Sequence, residues 1–311
     1  MPIKANKKSF TSRGEVRLAI RLPNWLGDTL MTYPLLRALS DEGLEFTCFG
    51  HSWVADIFSA TNFEMVSDDR VSNKRWLAKQ YRQGKFSNVL VCPPSSSALI
   101  PPLLAGVPTT GYHPLCAQRV TNEIDLHRVE QYFELGRAFY EKSLVLDRES
   151  NFIPLGPEKI SEADLLVSEM VDGEFLVVCP YATNRHHGVN KEWPHWREFI
   201  EGYKEKKLIG IVAPQDEIRF KKEFPKTDVL STNLTLAASI MRRAEHVITN
   251  DSGAMHLASF FGANVTGLIG VTDFEETQPW FGSYLVNKDE TWVSLDKLKT
   301  HLAQTGPIAK K

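Results

Sequence analysis

The sequence lacks most of the features that would place it quickly. Its 311 residues include four cysteines, Cys48, Cys92, Cys116 and Cys179, scattered and without a C-x-x-C pair, so neither a zinc ribbon nor a redox dithiol is encoded. Isolated cysteines of this kind read as reduced core residues and favour a reducing, cytoplasmic setting. No run of about 18 apolar residues would span a bilayer. Near the start, Arg17 and Arg21 interrupt the apolar run from Val16 to Leu22, so the beginning does not read as a signal peptide. A net charge of -2 gives no broad basic face for nucleic acid. Also missing are G-x-G-x-x-G after a strand, G-x-x-x-x-G-K-[ST], G-x-S-x-G and H-E-x-x-H, which removes the main support for dehydrogenase, P-loop and hydrolase readings.

What remains is an ordinary globular composition, 42% hydrophobic and 24% charged. The length fits two domains of roughly 150 residues each. Short apolar runs alternate with amphipathic segments, the rhythm of βαβ units and parallel sheets covered by helices, which makes the fold class α/β. The strand candidates of the first half are Val16 to Leu22, Leu44 to Phe49, Phe63 to Val66, Asn88 to Cys92 and Val107 to Tyr112. Those of the second are Phe175 to Cys179, Lys207 to Val212, Asp228 to Leu230, His246 to Thr249 and Asn264 to Ile269. Between the halves, Asn151 to Glu158 carries Pro154, Gly156 and Pro157, which suits an extended connection, so the domains are drawn as 1–155 and 156–311. Doubly wound domains bind ligands at the carboxyl ends of their strands, so chemistry is sought in the loops that follow strands.

The first such loop is Pro23-Asn24-Trp25-Leu26-Gly27-Asp28, with a helix expected from Thr29 to Leu39 that Pro34 can kink. Gly27 permits a tight turn, and Asp28 falls at the expected N-cap. Asp28 therefore has two readings, a cap for a free N–H and a general base at the cleft mouth. The run Thr249-Asn250-Asp251-Ser252-Gly253-Ala254-Met255-His256 joins a strand to a helix whose first N–H groups suit a diphosphate. A long polar loop from Pro180 to Pro194 contains Thr183, His186, His187 and Lys191, and a helix is expected to begin near Trp193-Pro194. Lys191 can neutralise a pyrophosphate leaving group. The adjacent histidines have no convergent carboxylate or cysteine, so no metal is assigned. Arg70 to Lys85 is a basic stretch without an acid, read either as a solvated helix face or as an attractor for an anionic lipid or phosphorylated substrate.

Leu26-Gly27-Asp28-Thr29-Leu30, Lys191-Glu192-Trp193-Pro194 and Thr249 to His256 together resemble glycosyltransferase family 9, the ADP-heptose:lipopolysaccharide heptosyltransferases. Gly270, Thr272, Asp273, Thr277 and Pro279 match a further family loop. The resemblance implies a GT-B fold, two Rossmann-like domains facing each other across a cleft, with acceptor bound in the first and nucleotide sugar in the second. It implies inverting, metal-independent transfer of a heptose from ADP-heptose to the lipopolysaccharide inner core. Asp28 matches the base. The donor contacts carried over are Thr183, Lys191, Asp251, Ser252, Gly253, His256 and Thr272, with Glu217 taken for the ribose and Asp216 beside it as the other option. The implied partners are an ADP-sugar donor and an anionic lipid-linked saccharide acceptor, with peripheral association at the cytoplasmic face of the inner membrane and no nucleic acid. The rival readings are another GT-B enzyme, either a transferase for a different sugar or an epimerase, and a catalytically silent nucleotide-sugar-binding protein.

Overall fold

The computed structural model describes residues 17–121, 126–140, 144–149, 151–182, 189–287 and 292–305. The first sheet contains β1 (Leu18–Arg21), β2 (Phe46–Gly50), β3 (Glu64–Ser67), β4 (Asn88–Val91), β5 (Thr109–Gly111) and β6 (Gln118–Arg119). The second contains β7 (Phe175–Cys179), β8 (Lys207–Ile211), β9 (Asp228–Leu230), β10 (His246–Asn250), β11 (Val265–Leu268) and β12 (Ser283–Leu285). Their orders are β3-β2-β1-β4-β5-β6 and β12-β11-β10-β7-β8-β9, and the pairings are parallel. Read from β7 onward, the second order repeats the first. Central strands β1, β4, β7 and β10 are buried throughout, as a parallel sheet covered on both faces requires. The two edge strands β6 and β12 escape a sequence reading because they are two or three residues long and carry no apolar run.

The chain order reverses between β1 and β4 and again between β7 and β10, and these switch points open the crevices in which doubly wound folds bind ligands. Three of the loops singled out in the sequence, after β1, β7 and β10, lie at these two points. Residues 151–156 run without regular structure, and the helix Pro157–Met170 begins on Pro157.

Two lobes so built could drift apart, but a direct helix crossing joins them. The helix Leu26–Met31 after β1 packs against Gly253–Phe260 after β10. A Cβ on Gly27 would stand 2.6 Å from Cδ2 of His256, and one on Gly253 would stand 3.1 Å from Leu26. Asp56 of the first lobe accepts from Thr235 N (3.1 Å) and Thr235 Oγ1 (2.6 Å) at the start of Leu234–Arg243 in the second. One apolar cluster continues from Leu18, Ile20 and Leu30 to Val177, Val247 and Phe260.

Several local expectations are corrected here. The first helix begins at Leu26, not Thr29, so the N-cap is Trp25 and Asp28 lies inside the first turn. Gly27 serves a close approach rather than a turn. Pro34 does not kink one long helix; the helix ends at Met31, and a second, Tyr33–Asp41, starts with Pro34 in its first turn, where no N–H is needed. The helix expected near Trp193-Pro194 begins at Trp196.

The crossing leads to a testable expectation. Gly27→Ala forces a methyl into the His256 ring and should destabilise the fold by roughly 1–3 kcal/mol, the usual cost of overpacking. Denaturant unfolding of Gly27→Ala, His256→Ala and the double variant should reveal strong coupling, with the His256 truncation absorbing much of the Gly27→Ala penalty. Additive effects would show that the two residues do not constrain each other.

Candidate active site

Residues from both lobes line a cavity of about 590 Å³ between them. This volume lies in the range of small-molecule sites, roughly 300–1,000 Å³. The first lobe contributes Trp25, Asp28 and Arg128; the second contributes Lys191, Asp216, Asp251, Ser252, Gly253, His256, Thr272 and Glu276, among others.

Asp28 is fixed by the loop before it. Thr29 Oγ1 donates to Pro23 O (3.1 Å) and Arg21 Nη2 to Asn24 Oδ1 (2.6 Å), which sets the angle at which the helix leaves β1. The Asp28 carboxylate makes no capping bond and accepts instead from the hydroxyl of buried Tyr132 (3.0 Å), on the helix Arg128–Phe139. Burial raises the Asp28 pKa above its ordinary value; Arg128, the Tyr132 hydrogen bond and Lys191 pull it down, while Glu276 pushes it up. A carboxylate moved toward neutral pH yet held by one donor is suited to taking a proton.

The opposite wall is organised by Asn250, fully buried at the end of β10. Its Oδ1 accepts from Trp193 N (2.8 Å) and Trp196 Nε1 (2.9 Å), and its Nδ2 donates to Pro180 O (2.7 Å). One amide thereby ties both ends of the loop after β7 to β10. Glu192 holds the same loop from outside through two 2.8 Å bonds from Arg219, whose guanidinium lies 4.0 Å from the Tyr181 ring centroid. Lys191, immediately before Glu192, is left pointing at Asp251, Nζ to Oδ2 3.0 Å.

The Asp251 side chain is only 5% exposed and also accepts from Thr272 Oγ1 (2.5 Å). Its carboxylate therefore orients Lys191 and Thr272 rather than meeting a diphosphate itself. Ser252 is the N-cap of Gly253–Phe260 without using its side chain as a cap, and its buried hydroxyl has no protein partner among the described residues. Together with the helix's unpaired first N–H groups it forms an anion cradle beside Lys191. His256, 4% exposed, has its pKa pushed down to about 4, chiefly by burial, and stands as a neutral imidazole.

Of the residues expected from the sequence, Asp28, Lys191, Asp251, Ser252, Gly253, His256 and Thr272 come together in the cavity. Thr183, with His186 and His187, lies outside the described residues. Glu217 is not brought in: it opens the helix Glu217–Glu223 and pairs with Lys221 (2.5 Å), whereas neighbouring Asp216 lines the cavity. Asp273 caps the short helix Phe274–Thr277 through Glu275 N (3.0 Å). The basic stretch from Arg70 to Lys85 contributes nothing to the cavity, and Arg70 is engaged by Asp68, which the stretch itself does not contain. Sequence reasoning missed Tyr132, Arg128 and Glu276. Arg128 and Glu276 form an ion pair from one lobe to the other, and Gln131 Nε2 adds a 3.2 Å bond to Glu276. Tyr132 and Arg128 lie on a helix that follows no quoted motif, so position gave no cue, whereas Glu276 lies within the segment after β11 from which the sequence reading takes only its neighbours.

Comparisons with known proteins agree with this architecture. The chain is 23% identical to lipopolysaccharide heptosyltransferase 2 of Escherichia coli K12 across 83% of each protein. Its fold matches that of E. coli ADP-heptose lipopolysaccharide heptosyltransferase II with a TM-score of 0.75, at 19% identity over 93% of this chain and 99% of the other. A family 9 glycosyltransferase from Veillonella parvula matches with a TM-score of 0.74, at 17% identity over 96% and 93%. E. coli heptosyltransferase WaaC with ADP matches with a TM-score of 0.71, at 19% identity over 93% and 99%. The fold is thus GT-B, two parallel doubly wound lobes about a cleft. The model of glycosyltransferase family 9 (heptosyltransferase) matches residues 73–305, most of the sequence beyond the Asp28 loop, and the chain belongs to that family.

Proposed function

We propose that the protein transfers a heptose from ADP-heptose to the lipopolysaccharide inner core with inversion at the anomeric carbon. The observation that carries this reading is the meeting, in one cavity, of a carboxylate of raised pKa from the first lobe and an anion cradle from the second. The names of the E. coli relatives supply the donor and acceptor classes. The donor lies in the second lobe, residues 156–311, with its diphosphate against Lys191, Ser252 and the start of Gly253–Phe260, and its ribose toward Asp216 rather than Glu217. The acceptor approaches from the first lobe, residues 1–155.

In the displacement, Asp28 removes the acceptor hydroxyl proton as that oxygen attacks the anomeric carbon and the bond to ADP breaks. Negative charge grows on the departing diphosphate, where Lys191 and the helix N–H groups stabilise it. Tyr132 holds Asp28 in line. No helix among the described residues is long and apolar enough to cross a membrane. Contact with an anionic lipid surface is assigned to Lys74, Arg75, Lys79, Arg82 and Lys85, all exposed on or beside the helix Lys74–Gly84.

Asp28→Asn tests the base. It keeps the shape and the Tyr132 contact, so ADP affinity and melting temperature should hold while kcat falls on the order of 10²- to 10⁴-fold. Normal turnover would remove Asp28 from the chemistry and favour a different base.

Tyr132→Phe tests the same carboxylate by pH. The lost O–H bond favours the ionised form, so its removal should raise the Asp28 pKa further and move the acidic limb of the kcat profile to higher pH. An acidic limb that stays in place would reject the coupling.

Lys191→Ala should cost transfer roughly 2–4 kcal/mol of transition-state stabilisation. It should also lower the melting temperature, because buried Asp251 loses its cation. Unchanged turnover would place the diphosphate elsewhere.

A further inference from the structure

The helix Leu26–Met31 starts against local preference. An N-cap is normally serine, threonine, aspartate or asparagine, whose side chain accepts from a free N–H two or three residues on. Here it is Trp25, which makes no such bond. Burial does not account for it either: Trp25 is 59% exposed, whereas Trp193 and Trp196 are 2% and 5% exposed. Trp25 is one of the residues that line the cavity that holds Asp28.

Its position relative to Asp28 follows from helix geometry. N-cap and N3 side chains lie next to each other, the adjacency that a capping box uses. Trp25 and Asp28 occupy these two positions. Residues three apart at such a site have Cβ atoms about 5–6 Å from each other. The groups suited to the diphosphate, Lys191 and Ser252, come from the opposite lobe. An aromatic face beside the base therefore belongs to the nucleophile's side of the cavity.

A pyranose ring has an apolar C–H face and a rim of hydroxyls. A flat aromatic surface matches the face, and a carboxylate beside it meets the rim. We propose that Trp25 is the platform on which a pyranose ring of the acceptor stacks, so that one rim hydroxyl is presented to Asp28. The inference rests on the transferase reading and adds to it a binding residue that selects the acceptor. The disfavoured N-cap then has a physical reason, since the position is used for ligand contact at the expense of helix stability.

The test uses Trp25→Ser, with Trp25→Phe and Trp25→Tyr beside it, on the full chain. ADP-heptose is the donor, and a deacylated, heptose-deficient lipopolysaccharide core saccharide is the acceptor. Serine restores a good cap, so the melting temperature should hold or rise, while the acceptor KM should rise on the order of 10- to 100-fold, the loss typical of a stacked aromatic. Phenylalanine and tyrosine should recover most of it, and ADP binding by calorimetry should stay near wild type in all three. Two results would overturn the platform while leaving the transferase reading intact. One is an acceptor KM in Trp25→Ser equal to wild type. The other is a parallel loss of ADP affinity, which would put the adenine on the indole. A wild-type protein that neither binds nor uses the saccharide would bring down the acceptor assignment and the platform together.

Discussion

The crossing of Leu26–Met31 over Gly253–Phe260 is the constraint on which the site depends. Each helix begins at the switch point of its own sheet, the place where doubly wound folds bind ligands. Separately, they would form two half-sites. The missing Cβ of Gly27 lets the first helix settle against the edge of His256, and the missing Cβ of Gly253 lets Leu26 settle against the second. The Asp28 carboxylate of one lobe and the Lys191–Ser252 group of the other consequently face a common space. The contact also explains the state of His256: packed against Gly27 and almost wholly buried, it is held neutral, so the cationic charge of the cradle comes from Lys191.

Charge is kept in balance across that space by pairs of opposite sign, one on buried Asp251 and one between half-buried partners. Lys191 is set by Asp251, and Arg128 by Glu276. Burial dominates the shift at Asp28, with the two cations lowering its pKa and Glu276 raising it. An arriving diphosphate would compete with Asp251 for Lys191, and any loosening of Arg128 from Glu276 would change the field at Asp28. An anion placed at Lys191 would thereby act on the proton affinity of Asp28 through a few charges within one cavity.

The strands were legible because a parallel sheet buried on both faces demands continuous apolar runs such as Phe175 to Cys179. The loops at the switch points were legible because glycine and polar residues interrupt those runs at fixed places. The function of individual residues was less so. Asn250 stood in the quoted motif, but only the fold reveals that its amide ties Trp193, Trp196 and Pro180 together. Asp216 and Glu217 are adjacent in sequence, and a turn of backbone decides which faces the cavity. Tyr132 lies 104 residues from Asp28, a separation at which local pattern carries no information.

Several departures from local rules meet at the cavity. Trp25 replaces a cap, Asp28 in the first turn bonds to a distant tyrosine, and the buried Ser252 hydroxyl and His256 Nδ1 have no partner among the described residues. Side-chain caps are used at some other helix starts, by Asn73, Asn233 and Ser294, while Tyr33–Asp41, Val54–Ile57 and Ser96–Ala105 also begin without one. A sequence selected for stability alone would give the two crossing helices such caps as well, each favouring its helix by about 1 kcal/mol. At these two starts, which line the cavity, an uncapped helix leaves N–H groups and side chains available to a ligand that would bridge the lobes.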